Sequence, residues 1–315
     1  MNRRVLFEKI WDIAAEYGGE RLFGRERDRI GDVFSRCFVG GQMPYFWLES
    51  PLIGEAYTDL HVFYDREMLS KGKDFEEGSG YGYQGLFDWY VNEDTGGIGL
   101  NLAFDMTGDD TVPAAYVNVN RKPLDDMGGF FVSCGQEVLA KPFMAFLEGM
   151  PEGMEEWYLG VFPNRSGVPA RVGLGLDNRW KDPERLGKFV ALTDDMKRKL
   201  YELSRFPYNW EIQQDIFSDG SVGDVFSLDL CLPQKGRKAV RELFDNSDAM
   251  VLLEKWGIAD ERWKIIPQVS FARILSIEGT LYFLQCLPVF IKIKWKAGKI
   301  LDSKVYMHCI AKHVQ

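Results

Sequence analysis

The chain has 315 residues, 46% of them hydrophobic, and a formal net charge of −9. Length and apolar content suffice to bury a large core, and the acidic balance excludes a general nucleic-acid surface, which needs a net basic face to neutralise phosphate. The five cysteines (Cys37, Cys134, Cys231, Cys286, Cys309) are widely spaced without a CxxC pair, which reads as reduced thiols in the cytoplasm, and three histidines make a zinc site improbable.

The first nine residues mix charge with apolar side chains as an amphipathic helix does, without the apolar core of a signal sequence. No apolar run reaches the roughly 18 residues of a membrane span. With no Pro/Ser-rich linker or low-complexity tract, 1–315 reads as one domain. Val5, Ile10, Ile13 and Ala14 share one side of a helix over 4–17 that stops at Gly18-Gly19, and a second helix over 25–38 ends at Gly40-Gly41. The period then changes from 3.6 to 2. Strands over 45–52 and 57–65 flank Pro51 and Gly54, with Leu60, Val62 and Tyr64 opposite Asp59, His61 and Phe63.

After a glycine-rich stretch and an aromatic segment over 81–90, the pattern recurs at 98–105 and 114–121, where Val117 and Val119 oppose Tyr116, Asn118 and Asn120. A helix over 130–147, closed by Gly149, leads to strands 157–162 and 169–176, with Val172, Leu174 and Leu176 opposite Arg171, Gly173 and Gly175. A helix over 194–204 precedes strands 209–217 and 225–232, where Leu228 and Leu230 oppose Ser227, Asp229 and Cys231. Helices over 235–244 and 248–256 follow. Residues 271–287 leave helix and strand both open. In the closing hairpin Phe290, Lys292, Lys294 and Lys296 alternate with Ile291, Ile293 and Trp295; after Ala297-Gly298-Lys299, Lys304, Tyr306 and His308 alternate with Val305, Met307 and Cys309.

Each helical block is thus followed by two strands with a short turn, and such turns join antiparallel neighbours. Ten strands in one open sheet would leave two edges, which closure into a barrel removes. The expected fold is α+β: repeated ααββ units forming a ten-stranded antiparallel barrel inside a ring of helices. A ten-stranded barrel is wide enough to hold a ligand. The apolar strand faces must then point outward under the helices and the polar faces inward.

This arrangement resembles the aromatic prenyltransferases of the ABBA class, the PT barrel, including the indole and cyanobactin-peptide enzymes. The resemblance rests on the repeat over nearly the whole chain, on Glu49 in the first strand, on Arg171 in a middle strand, and on the closing Lys292, Lys294, Lys304 and Tyr306. The pairs Asp109-Asp110, Asp125-Asp126 and Asp194-Asp195 do not form the DDxxD motif of other prenyl-transferring enzymes, which this class does not use. The resemblance implies transfer of a dimethylallyl or geranyl group from a prenyl diphosphate to an electron-rich aromatic small molecule or a peptide side chain, in secondary metabolism. Arg171, Lys292, Lys294, Lys304 and Tyr306 would hold the diphosphate. Phe63, Tyr116, Tyr158, Phe162 and Phe290 would shield the allyl cation and shape the acceptor pocket. Glu49 would be the base or orienting acceptor, with Asp59, His61 and Asp229 as weaker candidates. Magnesium is possible, since some members use it and others rely on basic side chains, and no metal ligand is assigned.

Each residue has a competing account: a salt bridge to a neighbouring strand for Arg171, a structural hydrogen bond for His61, barrel kinks or room for a ligand for Gly173 and Gly175. Three lysines on one small face repel unless water or an anion separates them. A non-catalytic barrel that binds a hydrophobic or anionic molecule is the alternative function. An interaction module of two α+β domains split near Asp177 is a second.

Overall fold

Helices and strands follow the two apolar periods of the sequence. In Asp194–Leu203 the buried residues Met196, Leu200 and Leu203 fall on one face, and Thr193 caps the first turn by accepting from the Met196 N–H. Ser247 caps Asp248–Lys255 in the same way; each such cap contributes about 1 kcal/mol. The structure is a computed structural model and describes residues 3–37, 45–71, 83–92, 99–107, 112–118, 127–163, 165, 167–232, 236–245 and 247–314. The end of the expected helix at residue 38 and its stop at Gly40-Gly41, the glycine-rich stretch and the start of the aromatic segment over 72–82, strand residues 98 and 119–121, the pairs 109–110 and 125–126, and residue 235 lie outside them. No described helix is long and apolar enough to cross a membrane.

Among the described residues eleven strands form one antiparallel sheet. They are β1 (Phe46–Pro51), β2 (Asp59–Tyr64), β3 (Leu100–Phe104), β4 (Ala114–Asn118), β5 (Met154–Val161), β6 (Ala170–Leu176), β7 (Asn209–Ile216), β8 (Val222–Cys231), β9 (Phe271–Ile277), β10 (Thr280–Lys296) and β11 (Lys299–His313). β1 to β8 pair in sequence, β8 pairs β10, β10 pairs β11, and β11 pairs β1. The ring therefore closes on ten strands, as the edge argument requires. β9 stands outside it, paired to the first half of β10.

The faces are inverted as expected. Leu60, Val62, Val172, Leu174, Leu228 and Ile293 are fully buried in the hydrophobic core shared with the helices. Their polar neighbours point into the lumen: Glu49 opposite Asp59 and Tyr306, Glu211 opposite Asp229, and Lys292 opposite both Asp229 and Lys304.

Two segments differ from expectation. The helix over 130–147 is two helices, Met127–Ser133 and Ala140–Glu148, joined by the 3₁₀ turn Glu137–Leu139. Gly135 takes φ +67°, a left-handed conformation that ends a helix, and the Gln136 N–H closes back on Phe131 O. The open segment 271–287 is strand throughout except for the Glu278-Gly279 turn, whose φ values of +51° and +79° suit a two-residue hairpin. The lysine-bearing stretches 290–296 and 304–309 are parts of strands of 17 and 15 residues, with a register shift at Pro288, which has no N–H for the ladder.

Candidate active site

Strand alternation sends two kinds of side chain into the lumen, and position along the strands sorts them. Near the hairpin turns a cavity of about 410 Å³ is charged: Arg165, Arg171, Lys292, Lys294 and Lys304 line it with Glu49, Asp59, Asp105 and Asp302. Toward the other end a cavity of about 300 Å³ is walled by Trp47, Phe63, Tyr116, Trp157, Tyr158 and Phe290. His61, Tyr116, Lys292 and Tyr306 line both, so the two chambers meet across them.

Glu49 is the hub of the charged chamber. Its Oε2 lies 3.0 Å from His61 Nε2, and its Oε1 lies 3.2 Å from Lys304 Nζ. Tyr306 receives a hydrogen bond from Lys292 Nζ at 2.8 Å and donates its own to Glu49. Burial works to raise the Glu49 pKa, but Lys304, Lys292 and His61 outweigh it and hold the carboxyl well below its usual range. Glu49 is therefore ionised and nine-tenths buried, and it lines the charged chamber against His61, which lines both. Lys304 also reaches Asp59 Oδ2 at 3.0 Å, and Asp59 accepts from the Met106 N–H. His61 meets Asn101 Nδ2 at 3.4 Å on its other nitrogen, so the structural hydrogen bond expected of it exists together with its contact to Glu49.

What separates the lysines is supplied by the protein. Glu49 and Asp59 stand against Lys304, Asp302 acts on Lys294, and Asp229 acts on Lys292. Arg171 makes the expected bridge to a neighbouring strand, a bidentate pair with Asp215 of β7 at 2.7 and 3.0 Å. The Arg171 and Arg165 guanidinium carbons lie 4.5 and 3.7 Å from the Phe162 ring centroid. Phe162 thus belongs to the charged chamber, while Phe63, Tyr116, Tyr158 and Phe290 wall the aromatic one. Arg165, in the turn between β5 and β6, has no periodic pattern to mark it in the sequence.

The aromatic wall depends on glycines. A Cβ on Gly160 would fall 2.4 Å from the Tyr116 ring, one on Gly173 2.1 Å from Tyr158, and one on Gly175 2.1 Å from Trp157. Gly173 and Gly175 therefore leave room for protein rings from the next strand, and the ligand space lies in front of those rings. Trp47 packs 4.5 Å from Phe63 and 5.4 Å from Phe290, centroid to centroid. Trp47 and Trp157 are additions to the sequence-based set: strand alternation puts Trp47 on the same face as Glu49, whereas Trp157 reaches the lumen only through the register shift between Glu156 and Tyr158.

The far wall of the aromatic chamber carries two carboxylates. Burial pushes Glu211 well above its usual range, with the Asp229 charge adding to it, and pushes Asp229 up to about 6 against the pull of Lys292. Gln213 Nε2 donates to Asp229 Oδ2 at 2.5 Å. Glu211 and Gln213 are additions to the sequence-based set.

Among the described residues no three His, Cys, Asp or Glu side chains converge as a protein-made metal cage requires. Magnesium carried on a diphosphate needs only one or two carboxylates, and Asp59 and Asp105 line the charged chamber.

No protein-family model matches the chain, and no curated protein matches its sequence. Among solved structures, the prenyltransferase PriB in its apo form aligns with a TM-score of 0.55 at 13% identity, over 97% of this chain and 94% of that one. AnaPT from Neosartorya fischeri aligns with a TM-score of 0.45 at 11% identity, over 84% and 77%. The closed ten-stranded antiparallel barrel, its coat of helices and the near-complete overlap with PriB give the conclusion that this chain has the PT-barrel fold.

Proposed function

We propose that the protein transfers a prenyl group, dimethylallyl or geranyl, from a prenyl diphosphate to an electron-rich aromatic small molecule or a peptide side chain inside the barrel. The observation that carries this reading is a single lumen in which a cation-bearing chamber opens onto an aromatic one across Lys292, Tyr306, His61 and Tyr116. Ionisation breaks the allylic C–O bond, and the electron pair leaves with the diphosphate oxygen. Lys292, Lys294, Lys304 and Arg165 stand where that charge develops; losing one such donor typically costs about 10²–10³ in rate. Arg171 has given two donors to Asp215 and presents the rest of its guanidinium.

The allyl cation moves toward the aromatic faces, which attract cations and keep water out. The acceptor's π electrons form the new bond, and the proton released at that carbon or heteroatom passes to a base. Glu49 takes this proton directly, or orients the acceptor through its N–H or O–H. It is already ionised and meets His61 at the junction. The pairing of β6 with β7 across Asp177 and the closure of β11 on β1 favour one domain over two.

The test is incubation with dimethylallyl and geranyl diphosphates and a panel of indoles, phenols and Tyr- or Trp-containing peptides. Expected is a mass gain of one prenyl unit with release of diphosphate. A chain that neither releases diphosphate nor binds a non-ionising dimethylallyl thiolodiphosphate in calorimetry is not a prenyltransferase, and the non-catalytic barrel takes its place.

A further inference from the structure

Glu211 and Asp229 share the aromatic chamber with one lysine, Lys292, and burial keeps a proton on the pair where a second cation would otherwise stand. Glu211 and Asp229 are direct Cα partners on β7 and β8, and 3% and 4% of their surfaces are exposed. Asp229 Oδ1 and the adjacent Gln213 Oε1 are buried and have no hydrogen-bond partner among the described residues. Gln213 has turned its amide nitrogen toward Asp229 Oδ2, which leaves its oxygen as an acceptor on the chamber lining. Lys292 acts on Asp229 by charge, but its hydrogen bond goes to Tyr306 and it does not reach Asp229 Oδ1 or Gln213 Oε1 as a donor. Buried acceptors without donors are costly, typically about 1–3 kcal/mol each, and ionising both carboxyls on adjacent strands without a second cation would add to that cost.

We propose that Glu211, Asp229 and the Gln213 side-chain oxygen form an ammonium subsite, so that the acceptor entering the aromatic chamber is an aromatic compound carrying a protonated primary amine. The proposal deepens the prenyl-transfer reading and rests on it for the aromatic part of the ligand. An ammonium has three N–H donors and no acceptor, which matches two carboxylates and an amide oxygen, while the rings in front of them take the aryl group. Burial keeps proton affinity high on both carboxyls. The groups acting on them are Tyr158, which hydrogen-bonds Glu211, then Lys292, Arg171 and Glu49 by charge, and Gln213 by its hydrogen bond. An arriving ammonium therefore displaces a proton.

The experiment measures binding of two isosteric pairs to the full chain by calorimetry: tryptamine against 3-propylindole, and tyramine against 4-propylphenol. At least one amine is expected to bind ten-fold or more tightly than its propyl partner near pH 6.5. Its enthalpy should vary with the ionisation enthalpy of the buffer, reporting proton release. In Glu211→Gln/Asp229→Asn, and more weakly in Asp229→Asn alone, the preference should fall below three-fold while the propyl compounds bind as before. Equal binding within both pairs, no binding by any of the four compounds, an amine preference without proton release, or a preference that survives the double substitution overturns the proposal. If the variants fail to fold, the isostere and proton-release measurements on the unmodified chain decide. Binding of dimethylallyl thiolodiphosphate is measured in parallel. Donor binding without an amine preference sinks only the subsite, and an amine preference without donor binding sinks only prenyl transfer.

Discussion

Lys304→Met is the sharpest test of the charged chamber, because Lys304 holds two buried carboxylates at once. Its side chain is 17% exposed, with Glu49 Oε1 at 3.2 Å and Asp59 Oδ2 at 3.0 Å. At an effective dielectric near 20, each contact is worth about 5 kcal/mol before desolvation. Desolvating the ions takes back several kcal/mol apiece, and removing one member of a buried pair costs about 3–5 kcal/mol net. With an unfolding entropy of about 2.1 cal/mol/K per residue over 315 residues, that corresponds to a Tm loss of about 5–8 °C. The pH dependence follows from the signs of the shifts. Glu49 is depressed, so its contribution is present above its unfolded pKa of about 4.3 and is lost as pH falls through its folded value. Burial would lower Lys304, but Glu49 and Asp59 raise it well above its usual range, so its contribution persists until pH climbs past about 10.4. In Lys304→Met burial is opposed by one cation fewer, so the variant's carboxyls take up protons more readily in acid. Scanning calorimetry should therefore show the full loss at pH 8 and a clearly smaller one at pH 4, where that protonation relieves the unpaired charge, with weaker binding of inorganic pyrophosphate. A Tm change below about 1 °C at pH 8, or an equal change at both pH values, refutes the assignment of Lys304 as their shared counter-ion.

Three further substitutions probe separate parts of the lumen and coat. Glu49→Gln is expected to bind dimethylallyl thiolodiphosphate as the unmodified chain does but to lose about 10²–10⁴ in turnover; undiminished turnover removes Glu49 from the chemistry. Gly173→Ala places a methyl 2.1 Å from the Tyr158 ring and should cost about 1–3 kcal/mol. An altered near-ultraviolet circular dichroism spectrum should accompany that loss, and unchanged stability would show that the ring has somewhere else to go. Glu156 is buried under the coat with Oε1 unpartnered among the described residues, and burial raises its carboxyl to about 7. The folded chain therefore binds more protons than the unfolded one between the usual carboxylate value and about 7, and stability falls as pH rises through that window. In denaturant unfolding Glu156→Gln should be more stable by about 1–3 kcal/mol at pH 8 and show no gain at pH 4; a gain of equal size at both would refute this.

The sequence carries the barrel because alternation is a local property. Five pairs of period-2 runs, each behind helical stretches, are enough to require antiparallel pairing and closure, and the same alternation shows that Lys292, Lys304 and Tyr306 share a face. The split at Gly135 was harder to see, since an apolar run of helical period continues across it and only the left-handed backbone of one residue breaks it. Trp157 was missed because a register shift moves it to the face that strict alternation denies it.

Side-chain pattern, then, determined the ten strands of the ring, which way their faces point and which residue types meet in the lumen, since these follow from the geometry of neighbouring residues along the chain; the eleventh strand, β9, was decided by its pairing with β10. Closure of β11 on β1 decided that Lys304 neutralises Glu49, the pairing of β6 with β7 gave Arg171 to Asp215, and the pairing of β7 with β8 set Glu211 beside Asp229. Those contacts depend on the stagger between strands far apart in sequence, and that stagger is fixed only when the whole ring packs under its helices.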